Sequence, residues 1–288
     1  MIVTRRYFLA TLPLLATVNN VTVSAPRAAC QTNAWPIEVG DFGQLLAVIR
    51  RMHSLEFEGF ETSFRNLEGQ FQASASAQAA IRATGVQLVG VHIFLQHYDP
   101  TTSIPPADLI QRIADGAAAL GSQRLILSGK GLAFNGHLQR SALQRKAEAL
   151  QKAARYCSER SLRLAYHNHQ SEFALDGEEI EGLCENTDSE LLDLILDAGH
   201  AFRAGVDLER FFRRRHSRIA GIHLRDFHGE EQVPLGRGEV KFDGLAAAIR
   251  QMRWEGWLIA EEERASGAKP GETAAGQARQ TLRRVFGV

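Results

Sequence analysis

Short apolar runs alternate with longer amphipathic stretches along most of the 288-residue chain, and this alternation constrains the fold more than any other feature. It is typical of βα units whose strands form a parallel sheet. Seven runs are predicted as strands, at Phe60–Phe64, Val86–Phe94, Arg124–Leu127, Leu162–His167, Leu192–Leu196, Ile219–Leu224 and Trp257–Ala260. Helical patterns lie between them, at Phe42–Met52, Ala73–Arg82, Pro106–Leu120, Ala142–Glu159, Leu208–Arg215 and Leu245–Met252.

The segment 30–288 has about the length of one eightfold β/α barrel and contains no low-complexity linker. We expect its first strand within Thr32–Ile37, where Trp35 and Pro36 make the pattern poor. The sequence therefore predicts an α/β fold, a (β/α)8 TIM barrel in one domain. A doubly wound open sheet is the alternative, but that fold favours a GxGxxG turn after its first strand, and the sequence has none there.

Residues 1–29 have the layout of an export signal and are predicted to lie outside the barrel. Arg5 and Arg6 precede Phe8 and Leu9, and the run Thr11–Ala25 is uncharged and mostly apolar. The run is short for a membrane span. The paired arginines resemble the twin-arginine signal, which predicts the twin-arginine export machinery as a partner and a periplasmic location. An uncleaved anchor or a misassigned start codon is the alternative.

The composition argues against nucleic-acid binding driven by net charge. Lys plus Arg and Asp plus Glu both number 33, so the formal net charge is zero and no long-range field attracts DNA, RNA or an anionic membrane. We therefore expect no nucleic-acid partner. The three cysteines show no CxxC spacing, which argues against a disulfide framework.

Polar clusters follow the last four predicted strands. They are Tyr166-His167-Asn168-His169, Asp197-Ala198-Gly199-His200, His223-Leu224-Arg225-Asp226 and Glu261-Glu262-Glu263-Arg264. In a β/α barrel the carboxyl ends of the strands form the rim on which active sites are built. Oxygen and nitrogen donors without a thiolate suit one divalent ion such as Mn²⁺, Mg²⁺, Co²⁺ or Zn²⁺. One cluster alone would be ordinary, whereas four in succession indicate a metal centre.

These clusters, with Ser171-Glu172-Phe173, Leu235-Gly236-Arg237-Gly238 and Gly256-Trp257-Leu258-Ile259-Ala260-Glu261, resemble the sugar phosphate isomerase/epimerase family. This family of xylose isomerase-like TIM barrels includes inosose dehydratases, ketose 3-epimerases and 3-dehydroshikimate dehydratases. The resemblance implies one divalent ion held by a Glu, Asp, His, Glu set from the last four strands. Asp197, His223 and Glu261 match the last three of these ligands.

The first ligand departs from the family pattern. Many members have Glu-Asn-His where this chain has His167-Asn168-His169. Either His167 binds the metal, or Glu172 reaches in from the loop and leaves His167 and His169 as catalytic bases. We favour Glu172, because a carboxylate restores the expected charge and the hard-ligand character. A helix-start cap is the alternative role for Glu172.

Eight further residues are candidate substrate contacts at the rim. They are Glu61, Arg65, His92, Lys130, His200, Arg225, Asp226 and Arg264. Solvated loop charges, a satisfied core histidine or simple capping would explain several of them equally well. Arg225 stands where the family commonly has Lys, and an arginine cannot donate a proton near neutral pH.

Metal and imidazole together predict the chemistry. A divalent ion polarises a carbonyl while a base removes the neighbouring proton, and the resulting enediolate serves isomerisation, epimerisation and elimination. Export disfavours sugar phosphates, so an unphosphorylated keto sugar, cyclitol or 3-keto-glycoside is the expected substrate. A non-catalytic periplasmic carbohydrate-binding barrel is one alternative. A metal-dependent phosphodiesterase or AP-endonuclease-like hydrolase is the other, although it would need several metals and a basic groove.

Overall fold

The computed structural model describes residues 25–263 and 271–288. Its ten strands are β1 (Arg27–Gln31), β2 (Gly59–Ser63), β3 (Gln87–Ile93), β4 (Arg124–Ser128), β5 (Arg163–His167), β6 (Leu192–Asp197), β7 (Ile219–Leu224), β8 (Asp226–His228), β9 (Glu231–Val233) and β10 (Trp257–Ala260). Eight of them form a closed parallel barrel in the order β1, β10, β7, β6, β5, β4, β3, β2, and β8 pairs with β9 as a small antiparallel hairpin. The predicted eightfold barrel is confirmed.

The helices surround the barrel and bury one face each against it. They are α1 (Phe42–Ser54), α2 (Ser74–Arg82), α3 (Ala107–Ala119), α4 (Arg140–Ser158), α5 (Ala174–Glu185), α6 (Ala198–Arg203), α7 (Leu208–Arg215), α8 (Phe242–Gln251) and α9 (Gly271–Thr281). In α3, Ile110, Ile113 and Ala117 recur at helical spacing and are all buried. No helix in the described ranges is long and apolar enough to cross a membrane.

The first strand is not where the sequence predicted it. β1 covers Arg27–Gln31, and Thr32–Ala34 forms a short 3₁₀ turn. Three small residues, Ala28, Ala29 and Cys30, are fully buried between β10 and β2. Residues 27–29 therefore belong to the barrel rather than to the predicted signal segment. The paired arginines Arg5 and Arg6 lie outside the described residues.

Alternation along the strands decides which side chains point into the barrel. Ile126, Ala165 and Ile195 form one small buried cluster inside it. Side chains two residues further along a strand point the same way. The last inward positions of β4, β5 and β6 are therefore Ser128, His167 and Asp197, at the carboxyl rim.

Candidate metal centre and substrate cavity

Four buried side chains meet at the carboxyl end of the barrel, and we call them the metal cluster: His167, Asp197, His223 and Glu261. One nitrogen or oxygen from each lies within 4.8 Å of the other three. Three of the four, Asp197, His223 and Glu261, are residues that the sequence predicted as ligands. The fourth is His167, not Glu172.

The metal cluster presents polar atoms that make no hydrogen bond with the described part of the chain. They are His167 Nε2, Asp197 Oδ2, His223 Nδ1 and Glu261 Oε2. Two of these atoms, His223 Nδ1 and Glu261 Oε2, lie 2.6 Å apart as an ion pair, and Asp197 Oδ2 lies 2.8 Å from Arg225 Nε. Buried polar atoms are almost always hydrogen-bonded, and a converging set of exceptions is expected where an ion binds. Two imidazole nitrogens and two carboxylate oxygens suit Mn²⁺, Co²⁺ or Zn²⁺. The residues present therefore fit a divalent ion.

The charges around the metal cluster keep its carboxylates ionised. Burial disfavours a charged imidazole, but Glu61 and Glu261 on either side of His223 raise the pKa of that histidine to about 10. Burial also works against the Glu261 carboxylate, yet Arg225 and His223 hold its pKa well below its usual range. For Asp197, Arg225 similarly outweighs burial and lowers the pKa. Both carboxylates can therefore act as ligands at neutral pH.

His167 differs from His223 in charge. Burial, with the neighbouring His223, keeps the pKa of His167 well below its usual value. Its imidazole is therefore neutral at neutral pH, which is the form that binds a metal.

Glu61 was predicted as a substrate contact. It lies behind the metal cluster instead and does not line the cavity above it. Its side chain is fully buried, and its Oε2 lies 2.8 Å from His223 Nε2. Its Oε1 accepts a hydrogen bond from Gln31 Nε2 at 2.8 Å and lies 3.2 Å from His92 Nδ1. A carboxylate on the outer nitrogen of a metal-binding histidine fixes the orientation of the ring. Glu61 thus orients His223.

Glu172 is directed away from the metal cluster. Its Oε1 accepts a hydrogen bond from the Tyr166 hydroxyl at 2.7 Å, and its Oε2 accepts from the Ser171 hydroxyl at 2.8 Å and from the His169 backbone N–H at 3.1 Å. The sequence preference for Glu172 as a ligand finds no support in this geometry. The carboxylate caps the turn after β5, the alternative role that the sequence left open.

Asp226 and Lys130 do not line the cavity that opens above the metal cluster. The Asp226 carboxylate accepts backbone N–H groups from Phe227, Gly236, Gly238 and Val240, at 2.9 to 3.1 Å. A side chain at Gly238 would collide with that carboxylate, so the glycine permits the loop to close over it. Lys130 is exposed and lies outside the cavity.

Arg225 bridges the two carboxylate ligands. Its Nε lies 2.8 Å from Asp197 Oδ2, and one of its terminal nitrogens lies 2.5 Å from Glu261 Oε1. The guanidinium is buried and also lines the cavity. It therefore holds two ligands in place and carries a fixed positive charge at the site.

A cavity of about 460 Å³ opens above the metal cluster, within the size range of small-molecule sites. Seven predicted site residues line it: Arg65, His92, His167, His169, His200, Arg225 and Glu261. Arg264, the remaining candidate substrate contact, lies outside the described residues.

Two histidines face each other across part of this cavity. The His169 and His200 ring centroids are 5.2 Å apart, and the half-exposed ring of Phe94 lies 5.7 Å from that of His169. Burial lowers the pKa of His169 to about 4, so its imidazole is neutral and able to accept a proton at neutral pH.

Several residues of the site were missed by the sequence reasoning. Asn168 accepts a hydrogen bond from the Asp197 backbone N–H at 3.0 Å and donates to its carbonyl at 3.3 Å, which fixes the end of β6. The Ser128 hydroxyl lies between His92 and His167. Asn168 lies within the polar motif at the end of strand five, so the sequence offered a reason to consider it. A lone serine such as Ser128 at the end of β4 offers no such reason.

Fold and site together define a class of protein. The chain matches the family model of the xylose isomerase-like TIM barrel over residues 49–285, and it belongs to that family.

Individual relatives are more distant. Inosose dehydratase from Geobacillus kaustophilus is 31% identical over 135 residues, which cover 40% of this chain and 44% of that protein. D-allulose 3-epimerase from Methylomonas sp. has a similar structure, with a TM-score of 0.74, 16% identity and coverage of 91% of this chain and 98% of that one. For 3-keto-D-glucoside 4-epimerase from E. coli the TM-score is 0.67, with 15% identity and coverage of 91% and 100%. The chain spans about half the length of the curated relatives it matches first.

Proposed function

We propose that this chain is a divalent-metal-dependent enzyme, an isomerase, epimerase or lyase, that removes the proton beside a carbonyl of an unphosphorylated keto sugar, cyclitol or 3-keto-glycoside. The observation that carries the proposal is the metal cluster, whose four atoms without a hydrogen bond converge beneath a cavity that is also lined by His92, His169 and His200. The inosose dehydratase and 3-keto-D-glucoside 4-epimerase names among the relatives support the substrate class.

In this proposal His167, Asp197, His223 and Glu261 hold the ion. When bound, the ion polarises the substrate carbonyl and stabilises the charge that develops on its oxygen. His167 takes the place of the family's first glutamate, because its Nε2 lies 3.6 Å from Asp197 Oδ2 and makes no hydrogen bond with the described residues. The ligand set is therefore two imidazoles and two carboxylates.

His169 accepts the proton. As a ligand His167 has no free lone pair in the cavity, so His169 is the imidazole left to act as base. Its neutral form prevails at neutral pH because burial lowers its pKa to about 4. His200 is 5.2 Å away between ring centroids, and burial also lowers its pKa, so it is a second neutral imidazole that can pass the proton on. Arg225 keeps its charge and positions Asp197 and Glu261 without exchanging a proton.

Export is part of the proposal. Arg5 and Arg6 are the motif that supports twin-arginine export to the periplasm. A periplasmic enzyme would meet unphosphorylated carbohydrates, which agrees with a cavity lined by four imidazoles and two arginines rather than by a dense basic cluster. Changing both arginines to Lys should leave the protein in the cytoplasm with its first residues attached, as cell fractionation would show. Normal periplasmic delivery of that variant would contradict export by this route.

One experiment tests the activity whatever the final product. Metal-loaded protein is incubated in D₂O with a panel of keto sugars, inososes and 3-keto-glycosides, and α-proton exchange is followed by NMR. We expect exchange with at least one member of the panel, and its loss in Asp197→Ala. Metal retention without exchange on any substrate would contradict catalysis and would indicate a carbohydrate-binding barrel.

A further inference from the structure

We propose that Ser128 and His92 are positioning residues that set the tautomers of both imidazole ligands through one continuous hydrogen-bond chain. The chain runs from His223 through Glu61, His92 and Ser128 to His167. The inference rests on the proposed metal-binding role of the metal cluster, and it concerns the outer nitrogens of the histidines rather than the metal-facing ones.

The contacts are buried and consecutive. His223 Nε2 lies 2.8 Å from Glu61 Oε2, and Glu61 Oε1 lies 3.2 Å from His92 Nδ1. His92 Nε2 lies 2.7 Å from Ser128 Oγ, and Ser128 Oγ lies 3.5 Å from His167 Nδ1. All five residues are at most 6% exposed. The chain therefore links the two imidazole ligands through the ring nitrogens that are not part of the metal cluster.

An ionised carboxylate can only accept hydrogen bonds, and this fixes the direction of the whole chain. Gln31 Oε1 accepts from the Thr32 backbone N–H at 2.7 Å, so Gln31 Nε2 donates to Glu61 Oε1 at 2.8 Å and the carboxylate acts as an acceptor. It therefore also accepts from His223 Nε2–H and from His92 Nδ1–H. With its proton on Nδ1, His92 has a lone pair at Nε2, which accepts from the Ser128 hydroxyl. The Ser128 oxygen is left to accept from His167 Nδ1–H.

The opposite direction fails at Glu61. If the Ser128 hydroxyl donated to His167, His92 would have to donate to Ser128 through Nε2–H. With its proton on Nε2, His92 would then point its Nδ1 lone pair at a carboxylate oxygen 3.2 Å away, which is repulsive. The acceptor role of Glu61 thus sets the tautomer of His167 through two intervening side chains, His92 and Ser128.

The result agrees with the atoms of the metal cluster that make no hydrogen bond. Once a metal displaces the second proton of His223, protons on His167 Nδ1 and His223 Nε2 would leave lone pairs on His167 Nε2 and His223 Nδ1. These are the imidazole atoms without a hydrogen bond in the described part of the chain. One directed chain therefore presents both histidines as ligands, through opposite ring nitrogens.

The chain also supplies what an imidazole ligand needs and a carboxylate ligand does not. A carboxylate offers two equivalent oxygens and needs no tautomer, whereas an imidazole binds a metal through one nitrogen and needs an acceptor for the other. Ser128 and His167 are paired across β4 and β5 in the barrel register. The hydroxyl is thus held by the same sheet as the imidazole. Replacing the hydroxyl with hydrogen, as in Ser128→Ala, would leave His167 Nδ1 without this hydrogen-bond partner.

Nitrogen NMR of the histidine rings tests the assignment directly. Protein labelled with ¹⁵N is loaded with Zn²⁺, and long-range ¹H–¹⁵N correlations identify the protonated nitrogen of each ring. We expect Nδ1–H for His167 and His92 and Nε2–H for His223. Metal bonding through His167 Nδ1, or Nε2–H on His92, would overturn the proposal without any need for a variant.

Two serine variants give the matched affinity test. Ser128→Ala should lower Zn²⁺ affinity by about 10- to 100-fold, as loss of an outer partner of a ligand does, and should mix the His167 tautomers in the metal-free protein. Ser122→Ala is the control, because Ser122 is also a buried serine, placed just before β4, whose hydroxyl donates to the Arg124 carbonyl at 2.9 Å. The control should bind Zn²⁺ like the unchanged protein.

Asp197→Ala separates this inference from the proposed function. If Asp197→Ala loses Zn²⁺ while Ser128→Ala keeps full affinity and a single His167 tautomer, the chain of positioning residues is wrong and the metal site stands. If Asp197→Ala binds Zn²⁺ as tightly as the unchanged protein, the metal site itself is wrong, and the inference falls with it.

Discussion

Two buried polar clusters flank β5, and they differ in how fully their atoms are paired. One is the metal cluster. The other, which we call the lysine cluster, is Lys146, Tyr166, Glu172 and Glu179. Both contain two carboxylates with almost no exposure. In the lysine cluster every side-chain oxygen has a hydrogen bond from within the described residues, whereas the metal cluster leaves one atom of each residue without one.

The lysine cluster is built for structure. Lys146 Nζ donates to Glu179 Oε1 at 2.6 Å and to the Lys130 carbonyl at 2.9 Å, and Glu179 Oε2 accepts from the Leu132 backbone N–H at 2.6 Å. These bonds join α4, α5 and the loop after β4. The comparison teaches that burial and charge alone do not mark a metal site. The distinguishing feature is a set of metal-binding atoms that make no hydrogen bond and converge on one point.

His169 lies between the two clusters, and changing it should give the largest effect. Its backbone N–H donates to Glu172, while its ring lines the cavity. His169→Ala keeps the backbone bond and removes the base, so α-proton exchange should fall by about 10²- to 10⁴-fold while metal content is unchanged. His137→Ala, at an exposed histidine on the loop after β4, is the control. Wild-type exchange in His169→Ala would remove this residue from the chemistry.

Removing the cation from the lysine cluster should cost stability and spare the metal. Lys146→Met leaves Glu179 buried without its partner, which should lower the free energy of unfolding by about 3 to 5 kcal/mol. Denaturant unfolding measures this loss, and Mn²⁺ titration should show unchanged affinity. Lys152→Met, at an exposed lysine of the same helix, should change neither. A Lys146→Met protein that is stable but has lost its metal would reverse the roles of the two clusters.

Metal affinity at the metal cluster should depend on pH through the ionisation of His223. Without metal, Glu61 and Glu261 outweigh burial and raise the pKa of His223 to about 10, so this imidazole is protonated at neutral pH. A metal must displace that proton. Apparent Mn²⁺ affinity should therefore rise about tenfold per pH unit between about pH 6 and about pH 8, as a calorimetric series would show. Affinity that is flat or falls over this range would contradict the ionisation of His223.

The barrel was predictable because its strands are short, apolar and regularly spaced. Two parts were not. The small residues Ala28 and Ala29 in β1 have no strand-like pattern, yet they fit the tight space between two neighbouring strands. In the first turn of helix α5, Leu175, Asp176 and Gly177 have positive φ. Hydrophobic periodicity does not predict such a local conformation.

The site was predictable to the level of strand ends. Asp197, His223 and Glu261 each lie at the end of an apolar strand, and the family resemblance singled them out there as ligands. Glu172 and His167 could not be separated, because spacing brings both near the rim and only the side-chain direction distinguishes them. Glu61 was placed at the right strand end, but its burial behind His223 depends on packing that the sequence does not reveal.

The central claim is that His167, and not Glu172, completes the set of four metal ligands. Mn²⁺ titration of His167→Ala and Glu172→Gln tests it most directly, since one variant removes a metal-cluster atom and the other a lysine-cluster charge. The account predicts that His167→Ala lowers Mn²⁺ affinity by about 100-fold or more, beyond the range for loss of an outer partner, while Glu172→Gln stays close to the unchanged protein. Loss of Mn²⁺ in Glu172→Gln with full binding in His167→Ala would contradict it.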